Sequence, residues 1–379
     1  MSGWREGRVT SLDAEWDGAL ECTVDVLDDA TRTWTAVRAL AYPALVGRPE
    51  VSDLVLLNTA ALEAGLGTGG YAFVVAIPQR AATGVALGPG HVVKARYTPQ
   101  QIMVLGVDEE ASPHHELLRD ADDLGGMPVV VADLHSHLPA VIAGIRADWP
   151  RAAPPPRVAY VMTDGASLPA WFSRAVAGLR NAGWINACIT VGQAFGGDLE
   201  AVSLHTGLLA ARLVVNADIT VVTPGPGVVG TGTRWGFSGV ATGEAVNATA
   251  TLRGRPVATL RISAADARAR HRGVSHHSLT ALGRVALATA DVVVPMLGVP
   301  GQDGEAWADV AVEVRAAAAS LAPPYGRHTL VEVGLQGLRA ALDDSPVRLS
   351  TMGRGVDADE PAFLAAAAAG RHAVAMLGA

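Results

Sequence analysis

The chain has 379 residues, half of them hydrophobic and only 17% charged, with a formal net charge of −8. That composition excludes a disordered chain, and the length suits two domains with a core each. The 29 basic residues are scattered along the sequence, which argues against nucleic acid as a partner.

Mean hydropathy is +0.27, yet the apolar runs are strand-length, well short of the roughly 20 residues that cross a membrane. No membrane partner is expected. The N-terminus lacks the basic, apolar and cleavage-site order of a secretory leader, so a cytoplasmic location is expected. Cys22 and Cys188 are the only cysteines, too few for a zinc ribbon, a CxxC pair or a cysteine-ligated iron–sulfur cluster within one chain. Lys94 is the only lysine and lies in the N-terminal region, which argues against a P-loop or a pyridoxal Schiff base in the rest. The cofactor stays open.

Residues 1–110 read as an all-β, barrel-like domain. Short strands are predicted at Gly7–Leu12, Leu20–Leu27, Thr33–Leu40, Leu54–Leu57, Tyr71–Ile77, His91–Tyr97 and Ile102–Val107, separated by Gly, Pro and Asp. Leu66–Tyr71 is a glycine-rich turn. Residues 111–126 form a polar connector that continues the stretch from Asp108, carrying His114, His115, Asp120, Asp122 and Asp123. Such connectors are ordinarily solvated surface, although a metal could gather there.

From Met127 to the end the pattern becomes alternating strand and helix. Strands are predicted at Pro128–Leu134, Val158–Met162, Ile185–Val191, Ile219–Val222, Val257–Ile262, Val292–Met296, Thr329–Val333 and Val347–Ser350. Helices are predicted at Pro139–Trp149, Leu168–Asn181, His276–Thr289, Glu305–Leu321, Leu335–Leu342 and Pro361–Met376, and Asp198–Val214 completes the third unit. Glu244–Leu252 reads as helix or as one arm of a hairpin. Residues 127–379 are therefore expected to be a doubly wound, mostly parallel α/β domain, with a (β/α)8 barrel as the alternative.

In a parallel sheet the loops after the strands share one edge, where ligands bind. Asp133, His135 and His137 would meet there with residues 163–165, 192–197, 263–278, 353–357 and the long glycine loop after Val222. That loop holds Gly225, Gly227 and Gly230 in a literal G-x-G-x-x-G, continued by Thr231, Gly232 and Thr233. Bare amides and threonine hydroxyls suit an anion such as phosphate. A dinucleotide fits poorly, because Pro226 stiffens the turn and no acid follows about 20 residues on. A purely structural turn remains the alternative.

The segment Arg261–Ser278 concentrates Asp266, Arg268, Arg270, His271, His276 and His277. Ser275 reads as an N-cap, which sets His276 and His277 in the first helical turn and disfavours their charged form. Neutral imidazoles suit a metal or a general base, and Asp133 and His135 could complete a two-histidine-plus-carboxylate site. The competing reading is an ion-pair network around Asp266 that ties the loop down.

Taken together, Tyr42–Pro43 with Gly47, Leu57–Ala60, Leu66–Gly70, Leu134–Ser136, Gly230–Thr233 with Gly236–Gly239, and Arg261–Ser263 through Arg270–His271 to Ser275–His277 resemble the uncharacterised bacterial family DUF3866. The resemblance covers nearly the whole chain and implies a soluble bacterial protein, without an activity. Against the family pattern, His137 stands where an apolar residue is usual and an aromatic residue is usual near Ala264, so His137 is left out of the site.

The leading expectation is an enzyme acting on a small anionic, phosphorylated or similar molecule. Gly225, Gly227, Gly230, Thr231, Gly232 and Thr233 would cradle the anion, and Arg268 or Arg270 would clamp it. His271, His276 or His277, with Asp266 and His135, would move protons. A non-catalytic ligand-binding or assembly module is the first alternative and a metal-dependent hydrolase the second; homo-oligomerisation stays open.

Overall fold

A computed structural model of the chain describes residues 3–27, 32–80, 89–150 and 153–378. The chain divides into two compact units, Met1–Val104 and Leu105–Ala379.

In the first unit, β1 (Trp4–Trp16), β2 (Ala19–Leu27), β3 (Trp34–Ala41), β4 (Leu54–Asn58) and β5 (Ala72–Ala76) close a barrel in the order β1-β2-β3-β5-β4. Closure removes the unpaired edges that an open sheet of this size would expose. Val9, Cys22, Val24, Ala39, Val55, Leu57 and Val74 fill its interior. The last two predicted strands are shorter than expected. They form a separate two-stranded ribbon, β6 (Val92–Lys94) with β7 (Ile102–Val104).

The second unit is built on one open sheet. Its strands are β8 (Pro128–Val131), β9 (Val158–Thr163), β10 (Ala187–Thr190), β11 (Leu199–Glu200), β12 (Ile219–Pro224) and β13 (Arg255–Thr259). After a small antiparallel pair, β14 (Ile262–Ser263) with β15 (Gly273–Val274), come β16 (Asp291–Pro295) and β17 (Thr329–Val333). The order is β11-β10-β9-β12-β8-β13-β16-β17, and every pairing within it is parallel. With β11 and β17 at free edges, the sheet is not a (β/α)8 barrel.

Because strand side chains alternate, the two faces feed two cores. Val129, Val131, Val161, Ile189, Val222, Val292 and Val294 pack under the helices Leu204–Leu213, Ala241–Thr251 and Ala308–Ala319. Val130, Tyr160, Met162, Val221, Val257 and Val293 pack under Leu138–Ala147, Arg174–Asn181, Leu338–Asp343 and Glu360–Ala375. Runs apolar at every position are what a sheet covered on both sides requires.

Helices Leu138–Ala147 and Glu360–Ala375 touch backbone to backbone. A Cβ at Gly144 would stand 1.9 Å from the carbonyl oxygen of Ala367, and one at Gly370 would stand 1.9 Å from that of Val141.

Several predicted elements differ in the structure. The segment Glu244–Leu252 is helical up to Thr251, as part of the helix Ala241–Thr251 that Leu252 caps. Leu168–Asn181 is a 3₁₀ turn at Ala170–Phe172 followed by a helix capped by Ser173. The expected long strand Val257–Ile262 breaks after Thr259, and Ile262 joins β14. Val347–Ser350 is not a strand: Ser345 Oγ donates to the carbonyl of Val347 and the segment packs over Gly178, so β17 stays the sheet edge.

The predicted helix His276–Thr289 stops early, as α-helix His276–Thr280 and a π-turn Ala281–Val285. Asn247 ends it. Its amide donates to the carbonyl of Val285 at 3.1 Å, and its carbonyl accepts from the backbone N–H groups of Leu287 and Ala288 at 2.7 and 3.0 Å.

Across the centre of the sheet, β9, β12, β8 and β13 send their following helices to opposite faces in turn. Loops that part this way open crevices at the carboxyl edge.

Candidate functional site

Two loops on that edge build the site. After β8 the chain places Asp133, 2% exposed, with both carboxylate oxygens buried and without a hydrogen-bond partner. It then turns through a 3₁₀ helix, His135–His137, into Leu138–Ala147. Gly239 lets the neighbouring loop rest on Asp133, since a Cβ there would meet the Asp133 Cβ at 3.2 Å.

After β13 the β14–β15 pair closes the loop 264–272 and fixes Arg261 opposite the start of the next helix. The Ser275 N–H donates to the carbonyl of Arg261 at 2.8 Å, and the Arg261 N–H donates to Ser278 Oγ at 2.9 Å. Ser275 is the N-cap, its Oγ accepting from the N–H of His277 at 3.2 Å. This local geometry turns His277 inward, where its ring stacks on Phe237 with centroids 3.8 Å apart.

Three imidazoles converge as a result. Ring centroids lie 4.4 Å apart for His276–His277, 4.9 Å for His271–His277 and 5.1 Å for His271–His276. One nitrogen from each ring lies within 4.8 Å of the others. His271 Nδ1 stands 2.8 Å from Ser275 Oγ, and His276 Nε2 is buried without a partner.

The charged form of all three rings is disfavoured. Burial, followed by Arg261, pushes His271 down to about 4 and His277 down to about 3; burial and then Arg270 lower His276. Behind them Arg261, 6% exposed, donates from Nη1 to His277 Nδ1 at 3.2 Å. Both groups lie 3.8 Å from Asp133 Oδ2. Burial raises the Asp133 carboxyl, against the pull of Arg261. His137, 1% exposed, has no partner for either ring nitrogen, and burial with the nearby Arg261 takes it to about 3.

The family model described as a protein of unknown function (DUF3866) matches residues 38–370. The chain belongs to the DUF3866 family. No curated protein matches it.

Within this DUF3866 chain the remaining predicted site residues fall into three groups. Asp266 lies in a charge network: Arg268 donates from Nε and Nη2 at 2.9 and 2.8 Å, and Arg354 Nη2 stands 3.5 Å away. Arg268 chiefly, with its backbone N–H, holds the Asp266 carboxyl well below the usual range. Arg354 also reaches the fully buried Asp359, which accepts from Ser263 Oγ and the Ala264 N–H. Asp266 and Arg268 are thus committed to each other.

His135 is apart from the three imidazoles. Its nitrogens are taken by Tyr160 Oη at 3.1 Å and Ser173 Oγ at 2.7 Å, groups on the other side of the sheet, and burial lowers it to about 4.

The glycine loop folds on itself. The Thr231 N–H donates to the Gly236 carbonyl, the Ser238 N–H to that of Val229, and the Gly236 N–H to Thr233 Oγ1. Gly225 is buried, with room for no Cβ beside the Ser167 carbonyl, whereas Gly227 and Gly230 to Thr233 are exposed. Arg270 is exposed at the tip of this hairpin, close to Gly232, and has no ion-pair partner among the described residues.

Sequence reasoning left out two members of the buried cluster. The sequence gives Arg261 no role, and the family pattern sets His137 aside. The signal that could have found both is the strand order: β8 and β13 are neighbours.

Three neutral imidazoles with a buried carboxylate behind them form a donor set suited to zinc or a similar divalent ion. Nitrogen ligands about 2.1 Å from a tetrahedral ion sit roughly 3.4 Å apart, so small side-chain rotations are needed to close the triad. Among the described residues no helix is long and apolar enough to cross a membrane.

Proposed function

We propose that the chain is a metal-dependent hydrolase of a small anionic molecule, with the ion held by His271, His276 and His277. The observation that carries this reading is the trio itself, with one nitrogen from each ring within 4.8 Å of the others. An ion held by these three imidazoles would supply Lewis acidity that makes water nucleophilic near neutral pH.

The chain's own residues do the rest. Ser275 orients His271, Phe237 backs His277, and Arg270 beside His276 offers an uncommitted guanidinium to the anionic group of the substrate. A cytoplasmic setting fits, because both cysteines are free and buried.

The test is a hydrolysis screen of phosphomonoesters, phosphodiesters and N-acyl amino acids with zinc-loaded protein. Activity that a chelator removes and zinc restores, with Arg270→Ala raising KM at least tenfold, is the expected result. Hydrolysis indifferent to chelator contradicts the reading.

One observation favours a second reading, a binding or assembly module. Val229 and Trp235 on the hairpin are 65% and 54% exposed, an apolar pair that suits a partner surface. A change in the native mass of the protein on Trp235→Ser would support it.

A further inference from the structure

The buried residues behind the trio include polar atoms that the fold leaves without partners, and they stand where a bound ion would change the hydrogen bonding. An arginine can only donate, so the 3.2 Å contact makes His277 Nδ1 an acceptor and leaves its ring proton on Nε2. That tautomer cannot ligate a metal through Nε2. An ion on Nε2 requires the proton on Nδ1, and Nδ1–H then faces the Nη1–H of Arg261, donor against donor.

Among the described residues, the carboxylate paired with His277 is Asp133. Its Oδ2 is 3.8 Å from both His277 Nδ1 and Arg261 Nη1, and both of its oxygens are unpartnered. A metal-bound histidine ordinarily donates its other N–H to such a group. The other groups charged or titratable around this point are His137, lowered by burial beside Arg261, the two remaining members of the trio, and Arg268.

Resting on the metal reading above, we infer that Asp133 is the positioning residue of the centre. In the structure Arg261 donates to His277 Nδ1. With the site filled, the His277 proton moves from Nε2 to Nδ1, His277 donates to Asp133, and Arg261 pairs with the same carboxylate. No proton leaves the ring overall, and the Asp133 carboxyl gains the two hydrogen bonds that it lacks. Asp133 therefore sets affinity for the ion without touching it.

The experiment is a zinc titration of histidine-¹⁵N-labelled full-length protein, with His277→Gln used to assign the His277 signals. In wild type, zinc converts His277 from the Nε2–H to the Nδ1–H tautomer. Competition against a chromogenic chelator then gives a zinc affinity 10- to 100-fold weaker for Asp133→Asn, with the circular dichroism of the wild type. The tautomer measurement needs no variant and so stands even if Asp133→Asn fails to fold.

Zinc bound with His277 still protonated on Nε2, or a folded Asp133→Asn as tight as wild type, overturns the role of Asp133 and leaves the metal site intact. A wild-type protein that takes up no zinc overturns the metal reading, and this inference with it.

Discussion

The Nδ1 of His277 and the Oδ2 of Asp133 lie 3.8 Å apart inside the protein, and neither oxygen of that carboxylate has a hydrogen bond. Residues 144 positions apart in sequence meet because β8 and β13 are neighbours and their loops leave to opposite faces. The site is thus a product of strand order. Its chemistry depends on the elements around it holding both loops still.

The first such element is the network around Asp266 and Asp359. Replacing Asp266 with Asn removes the charge that two guanidiniums share, and is expected to cost about 2 kcal/mol of stability. Chemical denaturation checks this. Arg268→Ala should cost less, because that side chain is 39% exposed.

Acid should weaken the fold in two stages. His135 has its folded pKa lowered to about 4 from an ordinary value of 6.5, so the unfolded chain binds its proton first. Its contribution is complete above about pH 6.5 and is lost as pH falls toward 4, at up to about 1.4 kcal/mol per unit. Asp266 is also lowered, so its contribution is present above the ordinary carboxylate pKa and fades only below about pH 4. Unfolding free energies of wild type and His135→Gln, measured between pH 7 and 4.5, check the first stage: the variant should show a shallower pH slope.

Helix packing makes a third prediction. Gly144→Ala would push a methyl group into the Ala367 carbonyl, and main chain cannot rotate away as a side chain can. The expected loss is about 3 kcal/mol, read as a lower denaturant midpoint. Gly370→Ala should behave alike, since its Cβ meets Val141 in the same crossing.

Asn247→Ala removes three hydrogen bonds that end the histidine-bearing helix. We expect about 2 kcal/mol lost and faster amide exchange across Ala281–Ala288.

How much of this the sequence displays differs by feature. Apolar runs such as Val129–Val131 and Val292–Val294 mark buried parallel strands, and Ser275 is legible as an N-cap because its role is local. The end of the helix after Val285 is not legible, since the group that stops it, Asn247, arrives from another helix. The G-x-G-x-x-G was the most conspicuous motif, yet Gly225 is needed to pass Ser167, and Thr231 to Gly236 form a hairpin. Spacing alone does not distinguish an anion cradle from a turn bonded to itself. Asp266 and His277 look equally chemical in sequence; only the arginines around the first and the partnerless carboxylate beside the second separate structure from candidate site.

The most direct test of the central claim is metal stoichiometry. After equilibration with zinc and exhaustive dialysis, elemental analysis should find one ion per chain in wild type and none in His271→Ala, His276→Ala or His277→Ala. Wild-type protein free of metal, or variants that retain it, would contradict the account.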